Sequence, residues 1–518
     1  MRPGRRPPAP APGGRSLAPA PEGGPRAPAP VRGGRLSAPI GGARRPALAL
    51  ALVALAPLGP AACSSCEGRG ERPAAPGADL GVTPAQLRAD YWVARQPAPD
   101  ERLLGPREVA AHNARLFEGD PSVRRLEAMP RELGRDAVEG WVKKRSALPE
   151  GPLYDERGDE VPRERLAALV EALALGAIPE RQATRYGLVA RRADLRTFPT
   201  AMRVFRAPGD TDIDRFQESA LFPGTPVVIA HESAGGAFWF VLSPLYAAWV
   251  DRAAVAEGPR AEVLGYAGRA PYLVVTGAEA RTVFAPGAPE ISSLSIDMGV
   301  RLPLARDWPP DRPVHGQHPH AGRVVELPAR GPEGRLAFAP ALVPGSADVA
   351  GDYLPFTRAS LLRQAFKFLG ERYGWGHSYG ARDCSGFVSE VYRSLGVALP
   401  RNTSDQAASP ALERVDFGEG GGPAGRLAAL RALDVGDLVF VPGHVMMVIG
   451  HEDGTPYVIH DVHGVSLPGE GGEPRRVPLN GVSVTPLVTL LAGDGSPLVG
   501  RVTAVRRVRR AAGRGGAP

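Results

Sequence analysis

The chain has 518 residues, of which 43% are hydrophobic, and a formal net charge of +7. This length allows about three or four domains, and the apolar content suffices for ordinary globular cores. The arginines are scattered, and many lie before residue 46 or after Arg506. The charge therefore predicts no nucleic-acid-binding face. It fits contact with an anionic polymer such as a cell wall, or carries no functional meaning.

Residues 1–62 are expected to be a disordered leader that ends in a signal peptide. Residues 1–46 are mostly Pro, Ala, Gly and Arg, too poor in apolar residues to fold. The apolar run at 47–62 follows two arginines, and it is short and broken by proline, which is typical of an export signal rather than a membrane span. The Ala-Ala-Cys63 junction is similar to a lipoprotein signal-peptidase site. We therefore expect export to the periplasm or cell envelope, with Cys63 lipidated as a membrane anchor or the protein simply secreted.

Residues 63–82 are predicted to be a linker, and residues 83–198 a mostly helical segment. Short β-rich runs separated by Gly and Pro then predict two small barrels, at 199–262 and 263–330. Three aromatic residues of the first barrel suggest either a ligand platform or a core, and the core interpretation is favoured: Phe238, Trp239 and Trp249.

The last domain, predicted at 349–507, has helices first and strands afterwards. A helix is expected at 360–369, a second one begins near Cys384, and strands follow at 437–441, 444–449 and 457–460. This order predicts an α+β domain.

Cys384 is expected at a helix N-terminus, because a glycine-rich loop ends at Asp383 and apolar residues then recur at i, i+4. No other cysteine follows residue 66, so this thiol has no disulfide partner in that part of the chain. The unpaired N–H groups and the dipole at a helix start favour a thiolate, as in papain-like sites. The alternative is a buried structural cysteine.

A thiol nucleophile needs a base, and His444 is the candidate because it begins an apolar strand directly after a Pro-Gly turn. A third polar group should fix the imidazole of this histidine. Three candidates follow along the chain: His460, Asp461 and His463. Reversal of the hairpin around residue 452 would place residue 460 opposite 444, and reversal at 453–454 would place residue 463 there. The residues alone leave this choice open.

These motifs resemble the NlpC-type papain-like peptidases of bacterial cell walls. The resemblance lies in Asp383-Cys-Ser-Gly-Phe387, Gly443-His-Val445 and Ile459-His460. Further upstream, Tyr91-Trp92, residues 186–199 and Trp249-Val250 are similar to the stabilising segment and paired SH3-like domains of one subgroup. The resemblance covers about residues 85–505. One departure is His377, which stands where that family usually has glycine.

The resemblance implies a cysteine peptidase without cofactor or metal that cuts the γ-D-glutamyl to diamino-acid bond of peptidoglycan stem peptides. It implies that Cys384 and His444 are catalytic and that His460 orients His444. The implied substrate-binding residues are Tyr373, Asp383, Ser385 and Ser404. The Asp383 carboxylate would hold the free α-amine of an N-terminal L-alanine, with a barrel closing the cleft beyond it. The alternatives are a non-catalytic wall-binding protein and an acyltransferase on the same fold; the oligomeric state is left open.

Overall fold

The computed structural model describes residues 77–415, 423–469, 471 and 473–508. The predicted leader, the signal peptide, Cys63 and most of the predicted linker lie outside the described residues. Within the described part of the chain, no helix is both long and apolar enough to cross a membrane.

The segment before the first barrel packs onto the C-terminal domain. Trp92 is fully buried there, with its ring centroid 5.0 Å from that of Tyr457. The elements of this segment are α1 (Ala89–Val93), β1 (Arg102–Leu104), α2 (Pro106–Gly119), β2 (Glu132–Gly134), α3 (Arg135–Arg145), α4 (Arg163–Glu171) and β3 (Arg181–Ala183). Strand β1 pairs with a short strand of the C-terminal domain, β18 (Phe356–Thr357), so segment and domain share backbone hydrogen bonds as well as a core.

The first barrel is one antiparallel sheet of seven strands in the order β10-β4-β7-β8-β9-β5-β6. The strands are β4 (Arg185–Val189), β5 (Ala193–Arg196), β6 (Gln217–Leu221), β7 (Pro226–Glu232), β8 (Phe238–Leu242), β9 (Ala247–Asp251) and β10 (Val255–Gly258), and helix α5 (Arg260–Gly265) follows. The sheet thus begins at Arg185, before the predicted boundary at residue 199, because β4 pairs on both of its edges. Trp239 and Trp249 are buried, and Phe238 is partly buried against the core that contains Trp249, which confirms the core interpretation.

The second barrel packs one hydrophobic core from Leu273 to Val343. Its strands are β11 (Tyr272–Val275), β12 (Glu279–Arg281), β13 (Ser295–Asp297), β14 (Arg301–Pro303), β15 (Gly322–Arg330), β16 (Leu336–Pro344) and β17 (Val349–Ala350). This core runs past the predicted end at residue 330, because β16 pairs with β15 along its whole length.

The C-terminal domain is α+β, as predicted. Its helices are α6 (Arg358–Phe366), α7 (Cys384–Arg393), α8 (Thr403–Ala408) and α9 (Pro423–Arg431), and its strands after β18 are β19 (Glu413–Arg414), β20 (Leu438–Val441), β21 (His444–Glu452), β22 (Thr455–Val462), β23 (Val465–Pro468), β24 (Pro474–Val477), β25 (Gly481–Pro486) and β26 (Ala504–Arg507). Six strands form an antiparallel sheet in the order β19-β26-β20-β21-β22-β25. Helices α6 and α7 pack on one face of this sheet, so the start of α7 lies beside the start of β21.

Candidate active site

Helix α7 begins at Cys384, the position predicted from the sequence. Asp383 is its N-cap, and the carboxylate accepts a hydrogen bond from the backbone N–H of Gly386 at 2.7 Å. The apolar residues at i, i+4 spacing, Phe387 and Val391, are fully buried against the sheet. The cap and the apolar stripe together fix where the cysteine sits.

The Cys384 thiol lies inside the protein rather than on its surface. Its sulfur is 3.5 Å from the hydroxyl oxygen of Thr403, and the backbone N–H of Val445 donates to it. Burial, and then the nearby Asp383 carboxylate, raise the pKa of Cys384 to about 11. The helix start was expected to favour a thiolate. Desolvation opposes charge here, so the resting group is a protonated thiol.

His444 and His460 form a direct pair. The Nε2 atom of His444 lies 2.8 Å from Nδ1 of His460, whose Nε2 lies 3.0 Å from the hydroxyl oxygen of Thr485. Burial lowers the pKa of His444 to about 4, and burial together with His444 lowers the pKa of His460 well below its usual value. Both rings are therefore neutral at pH 7, and each ring orients the other. Within the described structure, no hydrogen bond joins His444 to Cys384.

A β-bulge decides which histidine meets His444. The hairpin turns at residues 453–454, which is the reversal that the sequence linked to His463. However, an extra residue, Ile449, shifts the register of β21 against β22 by one position. Because successive side chains of a strand point to opposite faces, this shift brings His460 to the face of His444. Glycine at 450, inside a strand, was the one sequence signal of a bulge.

His463 takes part in a different contact. Its Nε2 lies 3.3 Å from the Asp212 carboxylate, and its Nδ1 lies 3.4 Å from a guanidinium nitrogen of Arg476. Asp212 is also paired with Arg372 at 2.5 Å. Ligand atoms of Asp210, Asp212 and His463 lie within 4.8 Å of one another, a spacing open to a cation, but the charge of Asp212 is already balanced.

Asp461, the remaining candidate for orienting His444, points to the opposite face of β22 from His460. It is completely buried, and neither carboxylate oxygen has a hydrogen-bond partner among the described residues. Burial, and then the charge of Asp383, raise the pKa of Asp461 to about 9, so the group is a neutral acid at pH 7.

Asp383 already has a cationic partner within the protein. Arg401 donates to it at 2.8 Å, and the backbone N–H of Gly376 donates at 3.0 Å. Burial favours the neutral acid, but Arg401 outweighs this effect and lowers the pKa of Asp383 to about 2. Arg401 thus already balances the charge of Asp383 within the protein, and the contact of Asp383 with a substrate amine stays a prediction.

A cavity of about 590 Å³ contains Cys384 together with all four predicted substrate-binding residues: Tyr373, Asp383, Ser385 and Ser404. Burial raises the pKa of Tyr373, so its hydroxyl stays protonated and can donate a hydrogen bond. The Ser385 hydroxyl accepts from Arg401 at 2.9 Å. The cysteine contacts Thr403, and the next residue, Ser404, lines the same cavity.

The first barrel supplies the far wall of this cavity, through Arg215, Gln217, Glu218 and Tyr246. The Glu218 carboxylate accepts hydrogen bonds from the hydroxyl of Tyr246 and from Arg145. Sequence reasoning missed these residues, because they lie more than a hundred positions from the cysteine and form no local motif with it.

A second cavity, of about 670 Å³, contains His444 and His460. It shares Tyr373 and the turn at 441–443 with the first cavity, so the two adjoin at the point where the cysteine and the histidine approach each other. The arrangement is a groove in two parts, one with the thiol and one with the imidazole pair.

His377 stands where glycine was expected. Its backbone keeps the left-handed conformation that glycine favours, with φ of 66°. Its ring is buried between Glu390, 3.2 Å from Nε2, and Arg401, 3.0 Å from Nδ1. The substitution thus becomes part of the support behind α7 instead of blocking the cavity.

The fold is that of a multidomain protein in which SH3-like barrels precede a papain-like domain. Residues 203–251 match the family model "SH3 domain (SH3b1 type)", and residues 370–468 match that of the NlpC/P60 family. The chain therefore contains an SH3b domain followed by an NlpC/P60 domain, as the sequence motifs indicated. No curated protein matches the chain.

Two solved structures are similar to this chain. An NlpC/P60 endopeptidase from Photobacterium damselae subsp. piscicida superposes with a TM-score of 0.61 at 16% identity, covering 77% of this chain and 90% of its own. An NlpC/P60 family protein from Bacillus cereus ATCC 10987 gives a TM-score of 0.42 at 20% identity, covering 62% of this chain and 99% of its own. At 16% identity, the match to the Photobacterium protein shows a shared fold.

Proposed function

We propose that this chain is an exported cysteine endopeptidase that hydrolyses the γ-D-glutamyl to diamino-acid bond of peptidoglycan stem peptides. The observation that carries the proposal is the placement of the Cys384 thiol, at a helix start in a cavity that a barrel closes on one side. The His444–His460 pair borders the other side. A cleft closed in this way suits a short free peptide better than a glycan-linked one.

In the proposed reaction, the Cys384 thiol transfers its proton to His444 as its sulfur attacks the γ-carbonyl carbon of the D-glutamyl residue. The backbone N–H groups at the start of α7 and the Tyr373 hydroxyl donate to the developing oxyanion. The C–N bond then breaks, and the imidazolium gives its proton to the departing amine. Water, deprotonated by His444, attacks the thioester, the C–S bond breaks to release the γ-carboxyl group, and His444 returns the proton to the Cys384 sulfur. Catalytic hydrogen bonds commonly tighten only when substrate is bound, which fits the absence of a direct Cys384–His444 bond.

The barrel wall supports a preference for a free N-terminal L-alanine. A muramic acid linked to that residue would collide with the wall, and the Glu218 carboxylate, with its side chain 20% exposed, is the acceptor that we propose for the α-amine. Asp383 and Glu218 each pair with an arginine, Arg401 and Arg145, and Glu218 is preferred here because its side chain is 20% exposed against 10% for Asp383.

The acyltransferase alternative requires an apolar entry for a lipid chain. The cysteine cavity instead carries charged residues on both of its walls, Arg215 and Glu218 on the barrel side and Asp383 and Arg401 on the other. A non-catalytic wall-binding protein would not need the cysteine and both histidines together.

Mass analysis of products from L-Ala-γ-D-Glu-meso-diaminopimelate, incubated with the full chain, tests the proposal. We expect L-Ala-D-Glu and free diaminopimelate, and no turnover by Cys384→Ala or His444→Ala variants whose circular dichroism matches the wild type. The N-acetylated peptide should be cut at least about tenfold more slowly. Cleavage at another bond, or undiminished cleavage by Cys384→Ala, would refute the proposal.

A further inference from the structure

The cavity that contains His444 also contains a cation with no role in the scheme above. Arg476, on β24, lines it, and within the described residues this arginine has no carboxylate partner. The other arginine of the cavity, Arg501, is paired with Asp494. Arg476 is thus the arginine of this cavity whose charge is left for a ligand.

His463 holds Arg476 in place without neutralising it. Because the Asp212 carboxylate can only accept a hydrogen bond, the His463 Nε2 that faces it at 3.3 Å carries the proton. The Nδ1 atom of His463 is then an acceptor, and Arg476 donates to it at 3.4 Å. These two hydrogen bonds, from His463 to Asp212 and from Arg476 to His463, therefore position the Arg476 guanidinium and leave its positive charge in place.

The chemistry of the reaction places the leaving group in this cavity. His444 has to give its proton to the departing nitrogen, so the amino acid that carries this nitrogen lies on the His444 side of the groove, away from the barrel wall. Apolar residues line the same cavity, among them Val462, Leu490 and Leu498, and they suit the methylene groups of a long side chain.

We propose that Arg476 binds the side-chain carboxylate of the diamino acid, so that the enzyme selects diaminopimelate over lysine and over diaminopimelate amidated on that carboxyl. This inference rests on the proposed function and deepens it. Lysine has no second carboxylate, and the amide has the same size but no charge, so neither can form the charge-assisted bidentate contact that a guanidinium makes with a carboxylate.

The test compares kcat/KM for L-Ala-γ-D-Glu-meso-diaminopimelate and for the same peptide amidated on the side-chain carboxyl. The proteins are the wild type, Arg476→Gln and Arg475→Gln. Arg475 is the matched control, because it neighbours Arg476 on the same exposed strand but does not line the cavity, and it donates to the backbone oxygen of Asp79.

The wild type and Arg475→Gln should prefer the acid over the amide by about tenfold or more. Arg476→Gln should bring the ratio to within about twofold, mainly through a lower kcat/KM for the acid. Equal rates for the two peptides with the wild type, or an unchanged ratio in Arg476→Gln, would overturn the inference while leaving the proposed function intact. Failure of the wild type to cut either peptide would overturn both.

Discussion

At the scale of single residues, the structure separates two histidines that the sequence could not tell apart. His460 lies 2.8 Å from His444, whereas His463 contacts Asp212 and Arg476. His460 can therefore fix the tautomer of His444, whereas His463 makes no hydrogen bond to His444 within the described structure. The two residues should therefore differ in what their removal does to catalysis.

Replacing His460 by alanine should lower kcat by about 100-fold, because His444 keeps its chemistry but loses its orienting partner. His444→Ala should cost about 10⁴-fold or more, because it removes the proton transfer itself. His463→Ala should leave kcat within about threefold of the wild type. Steady-state kinetics on a stem peptide provides the measurement. A larger loss of kcat in His463→Ala than in His460→Ala would contradict this assignment.

The pH dependence should report the buried base. His444 must be unprotonated to accept the thiol proton, and burial lowers its pKa to about 4. Activity should therefore persist as the pH falls through the usual histidine range and decline only as the pH approaches about 4. The profile of kcat/KM, with circular dichroism at each pH to confirm folding, checks this. An acid limb near pH 6.5 would mean that His444 is hydrated in solution.

At the scale of elements, helix α7 depends on an internal ion pair at its start. Asp383 caps the helix and compensates Arg401, and the side chains are 10% and 8% exposed. Leaving a buried cation without its partner lowers the stability of the fold by more free energy than the intact pair contributes. A substitution at Asp383 should therefore lower the stability of the fold, whatever it does to substrate binding.

Asp383→Asn should lower the free energy of unfolding by about 3 kcal/mol, because it leaves the Arg401 guanidinium buried and uncompensated. Urea denaturation of the variant and the wild type gives the difference. The neighbouring variant Asp405→Asn serves as the control, with an expected effect within about 0.5 kcal/mol, because Asp405 is only partly buried and accepts a hydrogen bond from Asn402. Equal stability of Asp383→Asn and wild type would show that Arg401 finds another partner.

What could be predicted from sequence at this scale was local. The glycine-rich loop and the apolar spacing located Cys384, and runs of apolar residues located β21 and β22. The register between those strands could not be predicted, because one bulged residue, Ile449, reverses the outcome of counting back from the turn. Contacts between distant parts of the chain, such as the Glu218 wall beside Cys384, leave no pattern in either segment.

At the scale of the whole molecule, the barrels complete the charge balance behind helix α7. Arg382 is buried and donates to Glu390 on α7 at 3.0 Å and to Asp297 of the second barrel at 2.9 Å. Arg192 of the first barrel donates to the backbone oxygen of Ala381 at 3.0 Å. The papain-like domain would therefore expose and unbalance buried charges if the barrels were removed.

Differential scanning calorimetry of residues 77–508 should show one cooperative transition, because the second barrel and the papain-like domain share the buried Arg382–Asp297 ion pair. A fragment of residues 349–508 should unfold at a lower temperature, having lost Asp297 and the packing of the N-terminal segment. Two separate transitions, with one at the melting temperature of the fragment, would show that the domains unfold independently.

The hairpin that carries the histidines also contacts the N-terminal segment at its turn, the end away from the histidines. Glu452, beside the tip, accepts hydrogen bonds from Gln86 and Tyr91, and the Trp92 ring lies against Gly450 at the bulge, where an added Cβ would approach it to 3.0 Å. The hairpin thus carries the histidine pair at one end and contacts the N-terminal segment at the other. A pulling force applied through that segment would reach the strands that set the spacing of His444 and His460, so tension on the chain and the geometry of its base are coupled.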